Sequence, residues 1–160
     1  MIKLRKIEPS DLPFLYQWEN DASVWADGAN HNPLSQQDLR DYIASTTGDI
    51  YKDGQLRIII ENEGVTCGCI DLFDFDPRNR RAAIGMYIAL EYRGKGVGRE
   101  ALEQLESYAF GFLHLRVLYA VIATNNAACT ALYRTAGYSP SSPLPAWTLD
   151  SDAVIWIKNQ

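Results

Sequence analysis

Apolar and basic residues alternate along "IKLRKI" (Ile2–Ile7), which predicts a half-buried strand. In "EPSDLPFLYQWEND" that follows, Ser10 or Asp11 is placed to cap a helix whose partial apolar face is Leu12, Leu15, Tyr16 and Trp18. "GANHNP" (Gly28–Pro33) reads as loop. The next helix opens with Ser35 and Asp38 at capping-box spacing and turns Leu39, Tyr42 and Ile43 inward. The β-branched run Gln55–Glu61, the alternating Val65–Phe75 and the segment Arg81–Leu90 read as three strands joined by short turns, an antiparallel meander.

A glycine-rich stretch then leads into a helix from Arg99 to about Leu113. Leu102, Leu105, Ala109 and Phe112 keep helical spacing, and Glu100, Glu103, Gln104 and Glu106 are expected to face water. Arg116–Thr124 is nearly all apolar, as in a strand buried on both faces. "NNAACTALYRTAGY" predicts a helix stopped by Gly137. The proline-rich "SPSSPLPA" reads as a loop before the last strands, "WTLD" and "AVIWIKN". The order is that of an α+β (three-layer α/β) fold: a mixed sheet of six or seven strands with helices packed on it.

A chain of 160 residues suits one domain, expected to span residues 1–160. At 47% hydrophobic and 22% charged, the composition is that of a folded chain. No apolar run approaches the ~20 residues that cross a bilayer, and "MIKLRKIEPSD" lacks the apolar core of a signal peptide, so no membrane and a cytoplasmic location are expected. The net charge of −5, with scattered Lys and Arg, gives no basic face for nucleic acid. Cys67, Cys69 and Cys129 lack C-x-x-C spacing, and the chain has only His31 and His114 besides, so no metal is expected and the thiols read as packed side chains.

The chemistry concentrates in "EYRGKGVGREAL" (Glu91–Leu102), with Gly94, Gly96 and Gly98 at alternate positions ahead of a helix. A Walker A loop would need Lys-Ser or Lys-Thr after its last glycine, and Gly98 is followed by Arg99-Glu100. Gly96, Gly98 and Ala101 formally match a dinucleotide fingerprint, but the loop lies past the chain midpoint and the next strand carries no acid. Arg93, Gly96 and Gly98 satisfy R/Q-x-x-G-x-G/A, in which amides at a helix start cradle an anion such as a pyrophosphate, with Arg93, Lys95 and Arg99 reinforcing it. A plain turn is the competing reading of the loop alone.

With its flanks, the stretch resembles the GCN5-related N-acetyltransferase (GNAT) superfamily, in the branch of the ribosomal-protein and spermidine acetyltransferases. "W-x-N-D-x-x-V" (Trp18, Asn20, Asp21, Val24) resembles the family's first helix and bend, and "IGMYIALEYRGKGVGREAL" its pyrophosphate strand, loop and helix. "NNAACTALYRTAGY" is similar to its later segment, with Asn126, Cys129, Leu132, Tyr133, Gly137 and Tyr138 in register. The resemblance implies a GNAT fold with a central splay and helices on both faces of the sheet. It also implies acetyl-CoA as donor, its pantetheine on main-chain groups of Met86, Tyr87 and Ile88. Amides from Arg93 through Gly94, Lys95, Gly96, Val97 and Gly98 to Arg99 would hold the pyrophosphate, with Asn126 bordering the arm. A homodimer is a further expectation by analogy.

Acetyl transfer to an amine requires a neutral amine, a stabilised oxyanion and a proton for the leaving thiolate. A thiol titrates near ~8.5 and a phenol near ~10, so Tyr133 can donate, as the resemblance also implies; packing alone is the plainer reading of it. Ala83 stands where relatives often carry a carboxylate base. Asp71, Asp74 or Glu91 could serve through water, although each also reads as a solvated acid. Acceptor choice is expected to rest on Trp25–Asp41. There, Asn30, His31 and Asn32 replace acids of the spermidine enzymes, while Asp27, Asp38 and Asp41 remain. Trp18, Trp25 and Tyr42 could wall the pocket, with Pro140–Trp147 as a second wall. The expected activity is direct acetyl transfer to a protein N-terminus or a small amine such as a polyamine, without an acyl-enzyme; a non-catalytic acyl-CoA sensor is the rival.

Overall fold

A computed structural model describes residues 1–27 and 32–160, with the backbone alone at positions 26 and 27. The loop reading at Gly28–Pro33 falls outside the described residues over 28–31 and meets no helix or strand at Asn32 and Pro33; the acceptor roles weighed for Asn30 and His31 and the side chain of Asp27 also fall outside them. The strands are β1 (Ile2–Lys6), β2 (Leu56–Asn62), β3 (Val65–Asp76), β4 (Arg81–Ile88), β5 (Val117–Ala123), β6 (Ser139–Leu144) and β7 (Ala153–Asn159). The helices are α1 (Leu12–Glu19), α2 (Ala22–Asp27), α3 (Gln36–Ser45), the short α4 (Ile50–Asp53), α5 (Val97–Glu106) and α6 (Ala127–Thr135).

The strands form one seven-stranded sheet in the order β1-β2-β3-β4-β5-β7-β6. Strands β2, β3 and β4 make the expected antiparallel meander, and β4 lies parallel to β5. The parallel ladder holds only Arg81↔Val117, Ala82↔Leu118 and Ala83↔Tyr119. Beyond Ala83, β4 continues against β3 and β5 continues against β7, so the sheet splits at its centre. One face buries α5 and α6 against Ile58, Ile70, Ile84, Leu118, Ala120 and Trp156. The other buries α1 and α3 (Leu15, Trp18, Leu39, Ile43) against Ile59 and Cys69.

A bulge shapes β4. The β2–β3 register slips between Ile60↔Gly68 and Glu61↔Thr66, leaving Cys67 as the extra residue. Beside it, a Cβ at Gly68 would stand 2.1 Å from the Tyr87 carbonyl oxygen, so only glycine allows this approach of β3 to β4.

Several expectations change. The proline-rich segment is a strand, β6, tolerated because it is the sheet edge and bulges between Pro140 and Ser142. Trp147–Asp150 belongs to the loop between β6 and β7 rather than to a strand. Helix α5 passes into a π-helical segment, Ser107–Phe112, whose wider turn rotates Phe112 off the line of Leu105 and Ala109; Phe112 is 72% exposed and stacks on Tyr108. Glu106 turns inward, one turn from Leu102, and is 9% exposed. Strand β5 is buried on its α5–α6 face only, with Val121 43% exposed on the other, because α1 and α3 stop short of that half of the sheet. Tyr16 points outward.

The capping box at Ser35 and Asp38 is present. Asp11 precedes α1 but serves another purpose. It is 2% exposed, accepts the Glu8 amide at 2.8 Å, and takes two bonds from Arg5 at 2.9 and 2.8 Å. Asp11→Ala leaves that guanidinium with Glu61 as its one carboxylate, besides Thr66 Oγ1 and the Lys6 carbonyl, and is expected to cost about 2 kcal/mol, a fall of roughly 4–8 °C in Tm by calorimetry.

Candidate active site

The central split is a cleft lined by peptide groups. The Ala89 amide donates to Cys67 and the Tyr87 carbonyl points at Gly68, so Tyr87 and Ala89 turn their main-chain groups toward β3. Alternation along a strand then turns those of Met86 and Ile88 toward the gap. Arg93 marks that edge: its Nε donates to the Ile88 carbonyl at 2.7 Å, and its guanidinium lies 5.6 Å from the centre of the Tyr87 ring.

Over the β4 lip stands the start of α5. After the single 3-10 turn Leu90–Tyr92, Gly94 (φ 71°) and Gly96 (φ 82°) take the left-handed conformation, and Gly96 caps the helix. Buried Val97 anchors the first turn. The first intrahelical bond runs from the Glu100 amide to the Gly96 carbonyl at 3.1 Å, which leaves the amides just before it directed out of the helix start. A Cβ at Gly94 or Gly96 would meet nothing within 4 Å, so the space over the loop is open. A Cβ at Gly98 would stand 3.2 Å from Met86 Sδ and 3.5 Å from Leu132 Cδ2. Gly98 thus lets α5 close onto β4 and α6. Lys95 is exposed, and Arg99 is paired with Glu103 at 2.9 Å.

Beyond the end of β5, Asn126 caps α6, its Oδ1 accepting the Cys129 amide at 3.1 Å. Tyr133, a turn and a half into α6, is 2% exposed and packs edge-on to Tyr138 at 4.9 Å. Burial pushes the Tyr133 phenol well above its ordinary range, with Cys129 and Glu106 adding to the effect. Tyr133 therefore stays a proton donor. Lys158 Nζ holds this end of the helix, donating to Glu106 Oε2 at 2.7 Å and to the Ala136 carbonyl at 2.8 Å.

On the opposite face, Asp71 pairs with Gly85 and Cys69 with Tyr87. The Phe73 ring fills the space over Gly85, where a Cβ would stand 3.3 Å from Phe73 Cε1 and 3.9 Å from Asp71 Cβ. Arg57 donates to Asp71 through Nε (2.9 Å) and Nη2 (2.7 Å), and to Glu19 through Nη1. Ala83 sits buried on the last parallel rung.

Residues 2–139 match the acetyltransferase (GNAT) domain family. The chain belongs to the GNAT acetyltransferases. It is 30% identical over 146 residues to the spermidine N(1)-acetyltransferase of Escherichia coli (strain K12), covering 89% of this chain and 75% of that one. It is 30% identical over 142 residues to the putative ribosomal N-acetyltransferase YdaF of Bacillus subtilis (strain 168), covering 86% and 77%. The crystal structure of the Vibrio cholerae spermidine N-acetyltransferase in complex with CoA and spermine superposes with a TM-score of 0.89 at 22% identity, over 99% of this chain and 95% of that one. The activity is accordingly N-acetyl transfer from acetyl-CoA to an amine, and the open glycine start of α5 facing the Met86 and Ile88 peptides fits that donor.

Within this GNAT frame the structure brings Met86, Ile88 and the glycine start of α5 together on the β4 side of the split and sets Asn126 at the start of α6 beyond β5, while Tyr133 lies buried in the core against Tyr138. It separates Tyr87, whose main chain faces β3 and whose ring packs 5.3 Å from Trp18. Trp18 is core rather than pocket wall. The Tyr42 ring already has a cation, Arg57, at 5.9 Å. Asp38 serves the helix cap and Asp41 accepts from Gln37. Trp25 donates its indole N–H to the Glu19 carbonyl at 2.8 Å. Sequence reading missed Arg57, Glu19, Glu106 and Lys158. The spacing of Glu106 from Leu102 was a usable signal; the meeting of Arg57 with Glu19, 38 positions away, left none. Among the described residues, no group of His, Cys, Asp or Glu could hold a metal ion, and no helix is long and apolar enough to cross a membrane.

Proposed function

We propose that the whole chain, residues 1–160, acts as one catalytic domain that transfers acetyl directly to an amine held on the α1–α3 side of the split. The carrying observation is the end of the β4–β5 ladder at Ala83↔Tyr119, with an unpaired β4 edge at Met86 and Ile88 and the glycine-started helix packed against that same strand. Met86 and Ile88 peptides bind the pantetheine arm, and amides between Arg93 and Arg99 bind the diphosphate, aided by the helix dipole. Arg93 contributes its amide and keeps its side chain on Ile88 and Tyr87. Asn126 borders the arm from the α6 side.

In the reaction the amine nitrogen bonds to the thioester carbon and the C–S bond breaks. The thiolate takes the Tyr133 proton, and the amine's surplus proton passes through water back to the tyrosinate, restoring Tyr133. A main-chain N–H on the β4 lip stabilises the oxyanion. Asp71 pairs with Gly85 on the lip strand β4, whereas Glu91 is exposed and Asp74 lies in the irregular turn of β3. The Cys69 thiol is buried and pushed up to about 12, which supports a route without an acyl-enzyme.

The acceptor favoured by the charges is an amine without a second ammonium nearby, such as a peptide N-terminus, because Glu19 and Asp71 are both engaged by Arg57. A polyamine is the second reading, supported by the spermidine-acetylating relatives. A homodimer, which would cover exposed Val121, and residence in the cytoplasm, where acetyl-CoA is supplied, complete the proposal. Thiol release from acetyl-CoA, measured across peptides, polyamines and aminoglycosides, tests it. Turnover with peptides above polyamines is expected; no thiol release with any of the amines, despite tight CoA binding, would favour the sensor.

A further inference from the structure

Three groups from three different elements converge on one side chain on the α1–α3 face of the sheet, two strands from the split. Asp71 on β3 gives both carboxylate oxygens to Arg57, at 2.9 and 2.7 Å. Glu19 at the end of α1 gives one oxygen, and the Tyr42 ring of α3 lies 5.9 Å from the guanidinium carbon. Two carboxylates and an aromatic face are the usual elements of an organic-cation site. The side chains of Glu19 and Asp71 are 16% and 22% exposed, so the cluster communicates with the surface. Burial works against the Arg57 charge, but the carboxylates of Asp71 and Glu19 outweigh it and hold the guanidinium above even its ordinary range. Two acids against one guanidinium leave the cluster at −1, and its removal would leave −2 around a cavity.

We propose that Arg57 is a specificity-determining residue: an internal cation that fills an acid–aromatic site on the α1–α3 face and thereby turns away polycationic amines. The proposal rests on the acceptor entering on the α1–α3 face. The guanidinium stays charged at all working pH, so the exclusion is permanent rather than switched.

The test compares wild type with Arg57→Ala, using methylguanidinium and spermidine as probes at millimolar concentration. Thermal shift and calorimetry provide the readouts, and CoA is titrated in parallel. Methylguanidinium is expected to raise the Tm of Arg57→Ala by several degrees and leave wild type unmoved. Spermidine should bind the variant at least about tenfold more tightly than wild type, a gain cancelled by adding Asp71→Asn. CoA affinity should stay within about twofold, since Arg57 is outside the donor lips. A variant that folds and binds CoA but gains affinity for neither cation overturns the proposal. So does one that is unfolded and not rescued by methylguanidinium. Loss of CoA binding in both proteins, with the cation gain intact, would instead sink the donor reading alone.

Discussion

Tyr133→Phe is expected to lower the rate of acetyl transfer by about 10²–10⁴-fold while leaving CoA affinity within about twofold. The ring is buried in the core, so phenylalanine fills the same volume and only the donor hydroxyl is lost. The pH profile adds a second check. The rate should rise as the amine loses its proton, and would fall once the acid ionised. Because burial raises the Tyr133 pKa, the falling limb should lie above the ~10 of an ordinary phenol. Stopped-flow thiol release over pH 6–11 reads both quantities. A variant as fast as wild type would reduce Tyr133 to a packed aromatic and move the proton donor elsewhere.

Gly68→Ala should have the largest effect on stability. The added Cβ would stand 2.1 Å from the Tyr87 oxygen and 3.1 Å from the Ile88 Cα, and both neighbours are backbone, which cannot swing aside. Strand β3 or β4 must shift, at a cost of about 3 kcal/mol, or roughly 6–12 °C in Tm. The displaced segment carries Met86 and Ile88, so CoA affinity should fall as well, by at least about tenfold in folded material. Urea unfolding with a CoA titration separates the two losses. A Tm within about 2 °C of wild type would show that the bulge does not hold the lip.

The sequence carried the local grammar well and the meetings of distant residues poorly. The Ser35–Asp38 cap, the meander, the glycine start of α5 and the stop near Gly137 are short-range features, each written in a handful of neighbouring residues. Strand β6 defeated pattern reading because prolines argue against strands, and only its place at the sheet edge makes Pro140 and Pro143 acceptable. Glu106 reads as surface by its chemistry, yet helical phase put it beside Leu102, and Lys158, 52 positions on, lets it stay inside. Arg57 is one polar residue in a β-branched run; its partners arrive from α1 and β3 through tertiary folding alone. The cleft itself was legible only through family resemblance, since nothing in the alternation of β4 says that its pairing with β5 ends at Ala83.

Calorimetric titration of acetyl-CoA into wild type and Gly98→Val addresses the donor cleft most directly. Valine at 98 would press on Met86 Sδ and Leu132, prising the helix start off the strand lip. Wild type is expected to bind in the micromolar range, and the variant at least about tenfold more weakly. A folded wild type that takes up no acetyl-CoA at millimolar concentration, or a variant that binds it as well as wild type, would contradict a donor site built between the start of α5 and β4.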